Sequence, residues 1–198
     1  MSLAEEIRDV LRRFPRRGIR RWGAKRVAVA ITVVTDRSGP AVLFPRRAAV
    51  LRVSPGQYML PGGRTKSGES VPDAARRELA EQLGMQLPAK SILGLLDDYD
   101  ARSGFVITPV VMWAGEHPPE VLHDDRACTV PFTDLDVEPV FVAMPGSDHP
   151  VIRLPLHGEW VHAPTAAVLY QFREVVMYRR CTRVAHLDEP VFAYPERR

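Results

Sequence analysis

Three polar residues that suit metal-dependent chemistry are spaced to lie on one side of a helix. Glu81 and Gln82 follow Glu78 by three and four residues, and a rotation of about 100° per residue places all three on one helical face. Two carboxylates one turn apart repel each other unless a cation lies between them. Carboxylate oxygens are usual ligands of Mg²⁺, which keeps positions open for water and phosphate oxygens. The pattern predicts a divalent-cation site, and an ordinary solvated helix face is the alternative.

The flanking residues predict the turn and the helix that would position these side chains. Gly62 and Gly63 follow a short apolar segment, and they allow a tight turn with backbone close to a ligand. Ser70 is suited to cap a helix, with Asp73 three residues later as its capping-box partner. Gly84 is suited to end that helix, because glycine adopts the left-handed conformation at helix C-termini.

The stretch from Gly63 onward has a defined spacing of distinctive residues. Five residues separate Gly63 from Glu69, and seven more precede the adjacent pair Arg77 and Glu78. The pattern continues to an apolar residue, a pair of acidic or amide residues, a glycine and a second apolar residue. This arrangement resembles the signature of the Nudix family of hydrolases at every defined position except one. Gln82 stands where the family has the second glutamate of a pair.

The resemblance implies a fold, a reaction and a cofactor. The fold is the Nudix fold, α/β or α+β in class, in which a mixed β-sheet is sandwiched between helices. The reaction is hydrolysis of a phosphoric anhydride in a nucleoside diphosphate linked to another moiety, with Mg²⁺ or Mn²⁺ as cofactor. Carried over position by position, the metal ligands are Glu78, Glu81, Gln82 and the backbone carbonyl of Gly63.

The same resemblance assigns further roles. Glu78 would also help to deprotonate the attacking water, whereas Arg77 and Glu69 would orient the helix and its carboxylates. One more carboxylate often comes from a downstream loop in this family. The candidates in this chain are Glu120, Asp124 and Asp125, and the spacing does not choose among them. His123, which lies among them, is either a proton acceptor or a surface histidine.

Residues 47–63 resemble the motif that precedes this signature in the coenzyme-A subfamily of Nudix pyrophosphohydrolases. The matching positions are Arg47, Ala48, Arg52, Gly56, Leu60, Pro61, Gly62 and Gly63, with Leu60 replacing phenylalanine. The resemblance implies coenzyme A or an acyl-CoA as substrate, with substrate contacts from Arg47, Arg52 and Gly62. A solvated basic loop is the alternative for the two arginines.

Gln82 leaves the outcome of this chemistry open. A glutamine keeps a carbonyl oxygen that can ligate a metal, but it brings no negative charge. The site would then bind fewer or weaker metals and still turn over, or a downstream acid would compensate. The remaining alternative is a degenerate domain that binds a nucleotide-like ligand without cleaving it, as a sensor or binding module.

Composition predicts one ordinary globular chain. Its 198 residues are 45% hydrophobic and 26% charged, which suits a single domain with a sizeable core. Two cysteines without metal spacing and without a signal peptide predict a cytoplasmic protein. No apolar run reaches the length of a membrane span. We expect a small-molecule partner and no membrane partner, and the sequence leaves a homodimer open.

The positive charge is concentrated in the first segment. We predict a basic N-terminal extension over residues 1–26 and a single Nudix domain with a C-terminal helix over residues 27–198. The basic segment suits phosphate backbones or anionic lipid, but it lacks the interleaved aromatic residues of a single-strand binder. A solvated extension, or a surface that pairs with acids elsewhere, is therefore preferred, and no nucleic-acid partner is expected.

Patterning predicts the order of the elements. Strands are expected over residues 26–35, 41–44, 57–60, 92–99, 105–113 and 128–131. Helices are expected over residues 3–13 and 163–180 in addition to the helix after Ser70. Residues 136–150 are rich in proline, aspartate and glycine, and predict a loop.

Overall fold

The structure, a computed structural model, describes residues 1–45, 58–116, 127–145 and 147–190. Its helices are α1 (Leu3–Arg13), α2 (Val71–Leu83), α3 (Phe132–Leu135) and α4 (Thr165–Phe172), with a 3₁₀ turn at Ala89–Ser91 and a π-helical turn at Arg173–Met177. Its strands are β1 (Lys25–Asp36), β2 (Gly39–Pro45), β3 (Gly62–Arg64), β4 (Ile92–Leu95), β5 (Tyr99–Asp100), β6 (Phe105–Trp113), β7 (Ala127–Pro131), β8 (Val140–Val142), β9 (Val151–Leu156) and β10 (Glu159–His162). In the described ranges, no helix is long and apolar enough to cross a membrane.

β1 is the centre of a mixed sheet. It pairs in parallel with β6 and antiparallel with β2 and β3, while β4 and β5 pair antiparallel with β6, and β7 pairs antiparallel with β2. A second, antiparallel sheet has the order β10-β9-β8. The short β3 is the element that brings the glycine pair alongside β1.

Helices cover both faces of the mixed sheet. Ala28 and Ala30 of β1 pack with α2, whereas Ile31 and Val33 belong to a larger cluster that contains α1 and α4. Alternate residues of a strand point to opposite faces, so small alanines let α2 approach closely. The predicted mixed sheet between helices is confirmed.

α2 begins and ends where the sequence predicts. Ser70 is its N-cap, and the Ser70 hydroxyl oxygen accepts a hydrogen bond from the backbone N–H of Asp73. The Asp73 carboxylate accepts from the Ser70 hydroxyl, at 2.6 Å, so the reciprocal bond of the predicted capping box goes to the side chain. Gly84 ends the helix with φ 71°, a backbone conformation that favours glycine.

The N-terminal segment packs on the domain. α1 buries Ile7 and Leu11 in the main core, and a Cβ atom added at Gly94 of β4 would lie only 2.7 Å from Leu11 Cβ. After α1, the buried Asp98 accepts hydrogen bonds from Arg16 at 2.5 Å and from Thr108 at 2.6 Å. This part of the basic segment therefore pairs with an acidic residue elsewhere in the chain, which is one of the two alternatives that the sequence left open.

Three predicted elements differ from the structure. The strand expected over 57–60 is wrong for residues 58–60, since β3 begins only at Gly62; residue 57 lies outside the described ranges. The strand expected over 92–99 is interrupted, because the carboxylates of Asp97 and Asp98 turn inward to arginines. The loop expected over 136–150 contains β8.

Glu189 near the C-terminus gives a pH-dependent prediction. Burial raises the pKa of this carboxyl group, which is 1% exposed, from 4.5 to about 7. Between those values the folded chain retains a proton that the unfolded chain has released, so the stability falls as the pH rises from 4.5 to about 7 and changes little above that. Glu189→Gln cannot ionise, and we expect it to be more stable than the wild type above pH 7 by roughly 3 kcal/mol. Urea denaturation at several pH values measures this difference, which should disappear near pH 4.

The neighbouring Asp188 provides a control of opposite sign. Hydrogen bonds from Arg102 and Ser147 lower the pKa of Asp188 to about 2, so its charge stabilises the fold above its unfolded pKa. Asp188→Asn should therefore be less stable than the wild type at pH 7. A Glu189→Gln variant with the pH dependence of the wild type would contradict the assignment of this proton.

Candidate active site

The carboxylate of Glu78 lies directly against the backbone of Gly63. A Cβ atom added at Gly63 would be 2.1 Å from Glu78 Oε1 and 2.3 Å from its carboxyl carbon. No other residue type leaves this space free. The pairing of Gly63 with Ala28 fixes β3 on the sheet, and the small residues of β1 let α2 approach. The carboxylate is consequently held at the edge of the sheet with 13% of its side chain exposed.

Arg77 connects the carboxylates of the signature. Its Nε and Nη2 donate to the two oxygens of Glu69 at 2.8 and 3.0 Å. Its Nη1 donates to Glu78 Oε1 at 2.7 Å and to Glu81 Oε2 at 3.2 Å, and Nη2 also donates to the carbonyl oxygen of Arg64 at 2.9 Å. The planar guanidinium thus holds three acids in one arrangement, which a lysine would not reproduce.

These hydrogen bonds favour the charged forms of Glu69 and Arg77. Hydrogen bonding from Arg77, and then from the backbone N–H of Lys66, lowers the pKa of Glu69 to about 2. Hydrogen bonds to Glu69 and Glu78 raise the pKa of Arg77. Lys66 Nζ lies 3.6 Å from Glu81 Oε1. Three carboxylates therefore face two cations, which leaves one net negative charge.

Gln82 donates two hydrogen bonds, which the glutamate usual at this position of the family could not donate as a carboxylate. Its Nε2 donates to Glu78 Oε2 and to the carbonyl oxygen of Gly62, both at 2.9 Å. Both partners are acceptors, so the amide nitrogen is the end that faces them. The amide thus links the helix to the glycine turn.

The oxygen donors of this cluster fit one divalent cation that keeps several waters. Glu78 and Glu81 bond the same guanidinium nitrogen, and the Gly62 carbonyl oxygen is linked to Glu78 through Gln82. Hard oxygen ligands in this number suit Mg²⁺ or Mn²⁺. Within the described ranges, no three histidine, cysteine, aspartate or glutamate side chains are grouped so that they could hold a metal ion, so the two carboxylates would need backbone oxygens and water beside them.

The structure brings together most of the predicted site residues. Glu69, Arg77, Glu78, Glu81, Gln82, Gly62 and Gly63 form one cluster at the start of β3 and along α2. The carbonyl oxygen that accepts a hydrogen bond from Gln82 belongs to Gly62. Gly63 contributes through its lack of a side chain, because the Glu78 carboxylate occupies that space. Several predicted residues lie outside the described ranges, namely Arg47, Arg52, Glu120, His123, Asp124 and Asp125.

Sequence reasoning missed two groups of side chains. Lys66, whose backbone and side chain contact Glu69 and Glu81, occupies one of the variable positions of the signature and gives no signal by spacing. The Tyr58 hydroxyl and His157 Nδ1 share a 2.8 Å hydrogen bond. The other ring nitrogen of His157, Nε2, lies 2.7 Å from the Asp134 carboxylate. This second group joins distant parts of the chain, so only the fold could reveal it.

The residues of this cluster lie within a part of the chain that is similar to known proteins. A sequence model of the NUDIX domain matches residues 24–146. The uncharacterized Nudix hydrolase NudL of Cronobacter sakazakii is 36% identical over 98 residues, which cover 49% of this chain and 50% of that protein. NudL of Salmonella paratyphi B is 36% identical over 88 residues, covering 44% and 46%. The chain spans about half the length of these curated relatives.

A solved structure shares the fold. The crystal structure of a MutT/nudix family protein from Enterococcus faecalis has a TM-score of 0.50 and 15% identity, covering 91% of this chain and 73% of that one. At this identity the likeness concerns the fold alone. The matched range begins at residue 24, close to the predicted boundary after residue 26, and the division into extension and domain stays a prediction.

Proposed function

This chain belongs to the Nudix family, whose members generally use a divalent metal ion, and on that premise we propose that it hydrolyses a nucleoside diphosphate joined to another group. The observation that carries the proposal is the Glu78 carboxylate, held against Gly63 and bonded to Arg77 and Gln82. A carboxylate fixed at a glycine turn, with a second one on the next helical turn, suits phosphoryl chemistry.

The residues of the cluster have separate tasks in this proposal. A divalent ion held by Glu78, Glu81 and the Gly62 carbonyl would supply positive charge for the phosphate oxygens and for the water. Glu78 accepts a proton as the water oxygen forms its bond to phosphorus. The bridging oxygen leaves with the electron pair of the broken P–O bond, which yields two phosphate monoesters. Arg77 and Glu69 hold the acids in place, because their two parallel hydrogen bonds resist rotation.

Coenzyme A or an acyl-CoA is the substrate that we propose. The support is the resemblance of residues 47–63 to the coenzyme-A motif, which rests on sequence because Arg47 and Arg52 lie outside the described ranges. Arginine suits bidentate contacts to phosphate, and coenzyme A carries a 3′-phosphate in addition to its diphosphate.

We expect wild-type protein to prefer coenzyme A over ADP-ribose, and Arg47→Ala or Arg52→Ala to reduce that preference. A charge-assisted hydrogen bond is worth about 1.5–3 kcal/mol, or about ten- to a hundredfold in kcat/KM, only to a substrate that makes it. Dephospho-CoA lacks the 3′-phosphate alone, so it should lose much less in the variants. Steady-state kinetics with Mg²⁺ and Mn²⁺ measure this.

Two outcomes of these kinetics would count against the substrate assignment. Equal losses on coenzyme A and dephospho-CoA would show that the arginines do not contact the 3′-phosphate. A clear preference of the wild type for ADP-ribose would exclude coenzyme A and leave the pyrophosphohydrolase proposal in place.

A nucleotide-binding module without cleavage is the second candidate function. Gln82 favours it, since its amide hydrogen bonds to Glu78 and Gly62 occupy contacts that a cation needs. Binding of a nucleotide product or substrate with no Mg²⁺- or Mn²⁺-dependent turnover would support this candidate and exclude the hydrolase.

Gln82→Glu should tighten binding of the metal and raise turnover. The substitution removes a hydrogen-bond donor from between two acceptors and adds a negative charge beside Glu78. Loss of one partner of a metal site typically costs about 10–100-fold in affinity or activity, so we expect a gain of similar size. Mn²⁺ titration followed by electron paramagnetic resonance measures the affinity without turnover. An unchanged or lower affinity with an intact fold would show that position 82 does not face the metal.

A further inference from the structure

The tip of the β9–β10 hairpin is a strained turn that a histidine occupies. Leu156 pairs with Glu159, so the turn has two central residues, His157 with φ 49° and Gly158 with φ 82°. Turns with positive φ at both positions favour Asn-Gly or Gly-Gly. A histidine there is conformationally costly, which suggests that its side chain is needed at this place.

The His157 ring joins two other parts of the chain. One ring nitrogen lies 2.7 Å from the Asp134 carboxylate of α3, and the other lies 2.8 Å from the hydroxyl of Tyr58. The Tyr58 ring also packs edge-on against Phe44 of β2, with ring centroids 5.5 Å apart. We name Tyr58, His157 and Asp134 the tyrosine relay. The contacts fix the direction of the Tyr58 hydroxyl.

A short stretch of chain connects the relay to the candidate active site, and the relay is open to solvent. Tyr58 precedes Gly62 by four residues, a span of at most about 14 Å in extended chain. His157 and Asp134 have 42% and 41% of their side chains exposed, and Met59 beside Tyr58 is 41% exposed. His157 comes from a hairpin beyond residues 24–146, the range that the family model matches.

The chemistry of the relay determines what it can bind. Asp134 only accepts hydrogen bonds, so a neutral His157 ring carries its proton on the nitrogen that faces Asp134. The other ring nitrogen then accepts, and the Tyr58 hydroxyl donates to it. The lone pairs of the phenol oxygen stay available as acceptors. A ligand at this position must therefore present an O–H or N–H donor.

We propose that Tyr58 is a specificity residue for the group joined to the scissile diphosphate, and that His157 and Asp134 are its positioning residues. The inference rests on the proposed function, because it places the diphosphate at Glu78 and Gly63. The group that it selects is a polar one with a hydrogen-bond donor, such as a ribose hydroxyl or an amide N–H.

The test compares long and truncated substrates. Coenzyme A and ADP-ribose carry such donors, whereas P1,P2-dimethyl diphosphate has the same anhydride and none. Tyr58→Phe removes only the hydroxyl, and His157→Asn keeps a residue that tolerates positive φ while it breaks the relay. Each should raise KM about five- to tenfold for whichever long substrate is cleaved, with kcat unchanged and with no change on the dimethyl compound. Tyr178→Phe, which removes a hydroxyl bonded to Asp136 instead, is the matched control and should change neither.

Other outcomes would overturn the proposal. Equal changes on long and truncated substrates would show that the relay only supports the glycine turn, and no change on any would show that it contacts no ligand. If the wild type cleaves nothing, the proposed hydrolase fails, and equilibrium binding of AMP and 4′-phosphopantetheine becomes the readout. Weaker binding of either by Tyr58→Phe would support the relay, whereas unaltered binding, or no binding by the wild type, would overturn it.

Discussion

Glu78→Gln should lose at least about a hundredfold of any metal-dependent hydrolysis while the protein stays folded. The variant keeps the shape of the side chain and its place against Gly63, but it removes the negative charge that Arg77 contacts and that a metal ion would need. An amide also cannot take a proton from water. Turnover at saturating Mn²⁺, with thermal unfolding as a check on the fold, measures the effect.

Glu138→Gln is the matched control for that loss. It makes the same chemical change at a side chain that is 93% exposed and lies 3.6 Å from Arg173, in a part of the fold that contributes nothing to the cluster. It should leave turnover unchanged. Equal activity of Glu78→Gln and the wild type would remove Glu78 from the mechanism.

Gly63→Ala should reduce activity to a similar degree, for a purely steric reason. The added methyl group would lie 2.1 Å from Glu78 Oε1, so the carboxylate or the turn must shift. A displacement of about 1 Å at a reacting group costs about a hundredfold. Initial rates and Mn²⁺ affinity should both fall.

Gly94→Ala is the control for this substitution, because it adds the same methyl group at a crowded position beneath α1. Its Cβ would lie 2.7 Å from Leu11 Cβ, so overpacking should cost about 1–3 kcal/mol of stability. Activity per folded molecule should stay that of the wild type. If Gly63→Ala is fully active, the close contact between Gly63 and Glu78 is not part of the working site.

The site helix was predictable because its signals are local. Ser70, Gly84 and the spacing from Gly63 to Gln82 lie within one short stretch, and each has a direct physical meaning for a helix or a turn. The structure adds what spacing does not contain. Arg77 bonds three acids at once, and the amide of Gln82 faces Glu78 and Gly62 as a donor.

The elements that prediction missed depend on distant contacts. Asp97 and Asp98 read as part of a strand, but they are buried by pairing with Arg183 and with Arg16. β9 contains Pro155, a residue that argues against a strand, and its hairpin turn uses His157 where asparagine or glycine is usual. The reason for that histidine, its bonds to Tyr58 and Asp134, lies in other parts of the sequence.

Product identification in H₂¹⁸O shows directly whether this chain hydrolyses a diphosphate bond. Purified wild-type protein is given coenzyme A, dephospho-CoA and ADP-ribose with Mg²⁺ or Mn²⁺, and the products are analysed by mass spectrometry. We predict cleavage between the two phosphorus atoms of at least one substrate, dependent on the metal, with one ¹⁸O atom in one of the two monophosphate products. Cleavage at any other bond, or bound nucleotide with no turnover at any metal concentration, would contradict the account.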